Sequence, residues 1–282
     1  MSTEDQDSLT MVVSLLYFAF TILLSRFFCS LIFSFILHRS KTVATCLLDF
    51  VTTFQVCACS IENATFLRRY GMPSYLTVLF CQLYWNAISL PTGYSGNPCQ
   101  NWRQFVAGRA KLAGTAGRMA CQLAGGQAAF WFARSFWSVG LTATHGQRLA
   151  ASASCVSDLT VPGAAGFGLE FLGVFADSML VGGLAAFSSG DSWLRHEEVQ
   201  RLTSCLLGTW LTYYGLPLSG MYANPANASA QTLGCRGTPL WLHIAVYWSA
   251  PLLATSLGHR LESRLPLTPV SATAAPEREK QQ

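Results

Sequence analysis

Two short runs of this sequence begin in the same way. Residues 219–224 read Ser-Gly-Met-Tyr-Ala-Asn and are followed by Pro225; residues 95–97 read Ser-Gly-Asn and are followed by Pro98. An Asn can cap a helix with its side-chain oxygen, and a Pro fits the first helical position, where a missing N–H leaves nothing unpaired. Each helix begun this way soon meets a glycine, Gly108 in the first run and Gly234 in the second. That allows about three turns, whereas crossing a bilayer takes about 20 apolar residues. Both runs stand between long apolar segments. The pair therefore reads as two half-helices buried within a bundle of membrane-spanning helices.

Composition agrees. Of 282 residues, 51% are apolar and only 11% charged, against about 25% charged in a soluble domain. Such a chain cannot cover a water-facing surface, and the lipid bilayer is its expected partner. The net charge of +4 is scattered, with no basic patch interleaved with aromatics, so no nucleic acid is expected. Most of the ten cysteines lie in apolar runs and read as small buried hydrophobes. The Cys57-Ala58-Cys59 spacing is wrong for zinc and has no partner pair, so no metal is expected. No Ser/His/Asp set or phosphate loop appears in a wet region, and residues 93–96 (Gly-Tyr-Ser-Gly) lack the spacing of a nucleophile elbow. No catalytic residue, no cofactor and no enzyme are expected.

Along the chain, residues 1–41 hold an apolar segment, 11–37, that starts acidic and ends basic, the reverse of a signal peptide; it reads as a retained extra membrane segment, with cleavage the alternative. A first repeat occupies 42–141, with spans at 42–60, 74–90 and 119–141, a polar loop at 61–70 and the first half-helix between the second and third spans. Residues 142–165 connect. A second repeat, 166–260, has spans at 166–187, 202–218 and 240–257, a charged loop at 190–201 and the second half-helix. Residues 261–282 form a flexible tail. Small residues Gly125, Gly126, Ala128 and Ala129 allow close helix contact. With residue 41 in the cytosol, twelve of the eighteen Lys and Arg fall on that side (39, 41, 103, 109, 111, 118, 195, 201, 260, 264, 278 and 280), as the positive-inside bias requires.

The halves repeat. Each carries an acid in its first span, Asp49 or Glu170, and an Asn-Pro half-helix before its third. Three spans per half is odd, so the halves have opposite topology, and inverted repeats with broken helices place a site near the midplane. Intramembrane carboxylates are costly unless paired. Asp49 and Glu170 are expected to hold the loops that precede Asn97 and Asn224, or else to reach water from near a helix end.

These features resemble the aquaporin (major intrinsic protein) family. Asn224-Pro225-Ala226 is similar to that family's NPA motif, and Asn97-Pro98-Cys99 to the NPC variant of its unorthodox superaquaporin branch. Residues 48–55 (Leu-Asp-Phe-Val-Thr-Thr-Phe-Gln), 121–123 (Cys-Gln-Leu), 138–145 (Ser-Val-Gly-Leu-Thr-Ala-Thr-His) and 246–253 (Val-Tyr-Trp-Ser-Ala-Pro-Leu-Leu) extend the resemblance over about residues 42–260. It implies an all-α membrane protein, a right-handed bundle of six transmembrane helices plus two pore half-helices, with an extra N-terminal hydrophobic helix in front.

It also implies a channel passing water and small neutral solutes, glycerol and hydrogen peroxide among them. The alternative is a weakly conducting protein with a structural role in intracellular membranes. A homotetramer is implied, in the endoplasmic reticulum or another intracellular membrane, with the plasma membrane as the alternative. The pore-lining residues would be Asn97, Pro98, Cys99, Asn224, Pro225 and Ala226. The selectivity positions would be Asn227, where orthodox members carry Arg, Thr212, and Thr77 or Phe80. Cys99 could narrow the pore, react with mercurials or fill space against a neighbour. Cys235 matches a cysteine the branch uses in folding or assembly, and Cys155, on the same side, is a candidate partner. Asn63-Ala64-Thr65 is a glycosylation sequon in the expected polar loop. His243 is expected to be packed, while His145 and His196 are expected in loops without partners.

Overall fold

The structure is a computed structural model describing residues 3–187 and 196–264. It is built of helices, and apart from one isolated bridge, Val156 to Arg236, no strand pairing occurs among these residues. Helix α1 (Thr3–Leu31) opens on Glu4 and Asp5, which suit the positive end of a helix dipole, and runs into a π turn at Ile32–Ile36. The Ser40 hydroxyl caps α2 (Lys41–Ser89) by accepting from Val43 N at 3.4 Å. Inside α2, Gly71 has φ +79, which breaks the rod, and Pro73 supports the restart beyond it. Thus α2 supplies two spans. Next come α3 (Pro98–Val106), α4 (Leu112–Ser138), α5 (Ala143–Ser152) and α6 (Gly163–Phe187). They are followed by α7 (Glu197–Ser219) and α8 (Pro225–Thr232). Finally α9 (Leu240–Ile244) and α10 (Ala250–Glu262) are joined through a π turn at Ala245–Ser249 into one rod. Among the described residues, α1, α2, the start of α6 and the α9–α10 rod are long and apolar enough to cross a membrane, and α3 and α8 are short, in keeping with the expected all-α membrane fold.

Two segments differ. Residues 61–70, expected as a polar loop, continue the helix to the Gly71 break. Of the expected charged loop at 190–201, residues 197–201 form the first turn of α7, and the remainder up to residue 195 lies outside the described residues, as does the tail from 265.

Packing centres on α2 and α4. A Cβ on Gly125 would sit 2.3 Å from the Phe50 carbonyl oxygen, and one on Gly126 would sit 3.0 Å from that of Ala226. Two backbones can approach this closely only across glycine, which fixes α4 against both α2 and the second half-helix. Ala129 and Ala133 continue the seam against Cys57 and Ala58. Helix α1 belongs to the same core. Its Tyr17 is fully buried, with ring centroids 5.4 Å from Phe132 and 4.8 Å from Phe136.

The polar residues of 61–70 explain why that stretch is helical. The Glu62 carboxylate is buried and accepts from Ser14 Oγ at 2.6 Å, Trp137 Nε1 at 2.8 Å and His145 Nε2 at 2.9 Å. A buried charge is tolerable when hydrogen bonds surround it, and these come from α1, α4 and α5. His145 is therefore no unpartnered loop residue. It lies in the first turn of α5, capped by Thr142, whose hydroxyl is 2.7 Å from Nδ1. Beside it Arg148 donates to the Ile61 carbonyl at 2.8 Å and lies 4.4 Å above the Trp137 ring. Burial draws that guanidinium down to about 10, which leaves it charged at neutral pH.

Candidate functional site

The two half-helices meet through their caps. Asn97 Oδ1 accepts from Cys99 N at 3.0 Å, and Asn224 Oδ1 accepts from Ala226 N at 3.1 Å and Asn227 N at 3.3 Å. Each amide nitrogen then reaches across to the other motif. Asn97 Nδ2 donates to the Ala223 carbonyl at 3.1 Å, and Asn224 Nδ2 donates to the Gly96 carbonyl at 2.9 Å. The exchange is mirror-like, each Asn bonding the residue just before the other. An amide nitrogen carries two hydrogens, so each Asn keeps one N–H beyond this brace. Both half-helices also point their positive dipole ends toward this meeting place.

The loops entering the caps solve one backbone problem in two ways. Before Asn97, the left-handed positions are glycines, Gly93 at φ +88 and Gly96 at φ +63. A Cβ on Gly96 would also come within 2.8 Å of Val56 Cγ2 and 2.9 Å of the Thr52 carbonyl oxygen. Before Asn224, Gly220 at φ +81 is followed by two left-handed residues that are not glycine, Met221 at φ +45 and Ala223 at φ +49, a conformation costing about 1–2 kcal/mol for a residue with a Cβ. Something must hold them there. Glu170, fully buried on α6, accepts from Ala223 N at 2.8 Å, Tyr222 N at 3.1 Å and Ser219 Oγ at 2.8 Å. Tyr247 Oη adds a bond to the Ser219 carbonyl at 2.8 Å.

Asp49 departs from its expected role. Its carboxylate accepts from Arg118 Nε at 2.5 Å and Nη2 at 3.2 Å, Asn101 Nδ2 at 3.2 Å and Gln122 Nε2 at 3.3 Å. These bonds anchor the first half-helix and α4. The side chain is one carbon shorter than Glu170, and the glycine-built loop before Asn97 needs no clamp.

The remaining expected residues fall as follows. Pro98 and Pro225 occupy the first helical positions and are buried, as is Ala226. Cys99 is buried with its thiol against the Thr255 hydroxyl of α10, the space-filling placement. Asn227, expected as a selectivity position, is engaged on both ends of its amide. Nδ2 donates to Ser60 Oγ at 2.9 Å, and Oδ1 accepts from Gln231 Nε2 at 3.0 Å. Thr212 is buried with its hydroxyl on the Gly208 carbonyl at 2.8 Å. His243 is packed, its Nε2 3.1 Å from Ser229 Oγ.

Three expectations are corrected. Thr77 is exposed and donates only to the Pro73 carbonyl of its own turn, at 2.9 Å. The inward face of this half of α2 carries Tyr75, Leu79, Gln82 and Asn86; Gln82 reaches the Val56 carbonyl and Asn86 accepts from Gln55. At about 100° per residue, Thr77 lies roughly 200° from Tyr75, on the opposite side, and Phe80 about 140° away; Phe80 is half-buried. Tyr75 and Leu79, not Thr77, are the buried residues at this level of α2. The sequon residue Asn63 is helical, 1% exposed and bonded to Gln82. A glycan cannot be attached to an amide buried between helices. The third is Asp49, above.

Cys235 is bonded to Cys155 with Cα atoms 5.0 Å apart. Beside the disulfide, Ser157 N donates to the Arg236 carbonyl at 2.8 Å and Arg236 N to the Cys155 carbonyl at 3.1 Å.

Among solved structures the fold is similar to an aquaglyceroporin from Plasmodium falciparum, with TM-score 0.53 at 11% identity, over 78% of this chain and 93% of that one. With two half-helices meeting at their Asn caps, the fold is that of an aquaporin-like all-α membrane protein. The sequence is 25% identical to an aquaporin-11 of Milnesium tardigradum over 94% of this chain and 92% of the relative. It is 26% identical to human aquaporin-11 over 78% of each chain, and 26% identical to mouse aquaporin-12 over 70% of this chain and 67% of the relative. No family profile matches the chain. The chain is thus similar to curated aquaporins 11 and 12 over most of its length, and its long apolar helices are those of an integral membrane protein.

Proposed function

We propose that the chain is a passive channel for water and small neutral solutes, glycerol and hydrogen peroxide among them. The observation that carries the proposal is the reciprocal brace of Asn97 and Asn224. It fixes two amide donors at the meeting point of two positive helix ends and leaves one N–H on each for a passing hydroxyl. Two positive ends oppose cations and interrupt proton hopping. Pro98, Cys99, Pro225 and Ala226 would form the walls beside the pair. Backbone carbonyls of residues 93–96 and 220–223 would continue the path, as backbone can where it faces a wet cavity.

Asn227 supplies no cation at the outer constriction and is tied to Ser60 and Gln231. A neutral, retracted side chain there supports passage of solutes larger than water. Family resemblance supports a homotetramer with one pore per subunit, in the endoplasmic reticulum or another intracellular membrane. Stopped-flow light scattering on proteoliposomes tests the reading. Water, glycerol and peroxide should each cross faster than in protein-free vesicles, and a flat response to all three would leave only a structural role for the fold.

A further inference from the structure

The connector after α5 does more than join the repeats. Residues 155–160 form a strap stitched at both ends. At one end lie the Cys155–Cys235 disulfide and the paired backbone of Ser157 and Arg236. At the other, Thr160 N donates to the Leu218 carbonyl at 3.0 Å and its hydroxyl to the Pro217 carbonyl at 2.7 Å, at the end of α7. Between the stitches, Leu159 N bonds Ser157 Oγ at 3.3 Å and shapes a turn. The strap thereby presents Asp158 to the outer end of the loop that leads into Asn224.

Asp158 meets that loop closely. A Cβ on Gly220 would lie 3.2 Å from Asp158 Cβ and 2.5 Å from the Tyr222 ring, so only glycine lets the three residues nest. The Tyr222 hydroxyl donates to Asp158 Oδ2. Tyr75, on the inward face of α2, lies within electrostatic reach of both Asp158 and Tyr222. Asp158 itself is solvent-exposed, which leaves its second carboxylate oxygen open. Helix α2, the loop before Asn224 and the strap thus converge at one rim.

Resting on the channel reading above, we propose that Asp158, with Tyr222 and Tyr75, is the specificity element of the outer mouth, and that it selects neutral solutes bearing several O–H donors, such as small polyols. The chemistry is one of hydrogen-bond sense. A carboxylate only accepts, and a tyrosine oxygen whose proton is given to that carboxylate also presents only lone pairs. A cationic rim presents only donors. An acceptor-rich rim replaces lost water around each O–H of a polyol and disfavours anions. The disulfide serves this arrangement by fixing the strap from which Asp158 projects.

The test uses the full chain in proteoliposomes and reads the glycerol-to-water permeability ratio, which cancels the amount of folded channel. Asp158→Asn should lower the ratio about threefold and Asp158→Lys about tenfold, because the acceptor is first weakened and then replaced by donors. Tyr222→Phe should give a smaller fall, since it frees the carboxylate without removing it. Ratios equal to wild type in both Asp158 variants, with both solutes still conducted, would overturn the proposal. Wild-type protein conducting neither solute would instead overturn the channel reading beneath it.

Discussion

Replacing Glu170 separates a clamp from a bystander. Its carboxylate receives three donors, two of them backbone N–H groups of the left-handed stretch before Asn224. In Glu170→Leu all three lose their acceptor in a fully buried site. An orphaned buried donor costs about 1–3 kcal/mol, so the loss is about 3–9 kcal/mol, comparable to the whole stability of about 5–15 kcal/mol typical of a folded protein. Glu170→Gln keeps the oxygen that serves Ser219 and Tyr222 but turns an amide N–H₂ toward Ala223 N. One donor is then unmet, for about 1–3 kcal/mol. Fluorescence-detected size exclusion after a heating series distinguishes these outcomes. Leu should yield aggregated or retained protein, whereas Gln should give a monodisperse peak melting several degrees lower, about 2–4 °C per kcal/mol for a chain of this size. A Leu variant with wild-type melting and wild-type flux would refute the reasoning, because the strained loop would then hold its shape unaided.

Further outcomes follow from the same geometry. Ala223→Gly relieves a left-handed alanine and should leave melting unchanged or raise it slightly, whereas Gly96→Ala should lower it, since its Cβ meets Val56 and the Thr52 carbonyl at under 3 Å. Arg118→Leu strands the Asp49 carboxylate and should destabilise by about 3–5 kcal/mol, with Asp49→Asn in the same background recovering part of the loss in the same melting assay. Reducing the Cys155–Cys235 bridge opens a loop spanning 80 residues, for which chain entropy gives roughly 4–5 kcal/mol; melting with and without reductant should differ, and Cys235→Ser should abolish the difference. Mass spectrometry of protein made in glycosylating cells should find Asn63 unmodified.

What the sequence disclosed and what it concealed divide along a physical line. Features written in local order were legible: apolar runs of spanning length, an Asn-Pro cap, a glycine stop, and small residues at a helix seam. Features that depend on partners distant in the chain were not. Residues 61–70 look like a loop because Glu62 and Asn63 are polar, yet Glu62 is satisfied by Ser14, Trp137 and His145 and Asn63 by Gln82. Asp49 and Glu170 occupy matched places, but Gly96 in one loop and Ala223 in the other give the two carboxylates different tasks. Thr77 shows the limit of counting: after the Gly71 break, an error of two residues turns a side chain roughly 200° to the far side of its helix. Arg118, Asn101 and Tyr75 were overlooked because nothing near them in sequence marks what they touch.

The central claim is a pore running past Asn97 and Asn224, and stopped-flow flux across proteoliposomes tests it most directly. Purified protein should speed glycerol and water entry over protein-free vesicles, and Asn97→Leu with Asn224→Leu should abolish the gain in whatever fraction remains monodisperse. Flux indistinguishable from empty vesicles for the wild-type protein, or flux that survives removal of both amides, would contradict it.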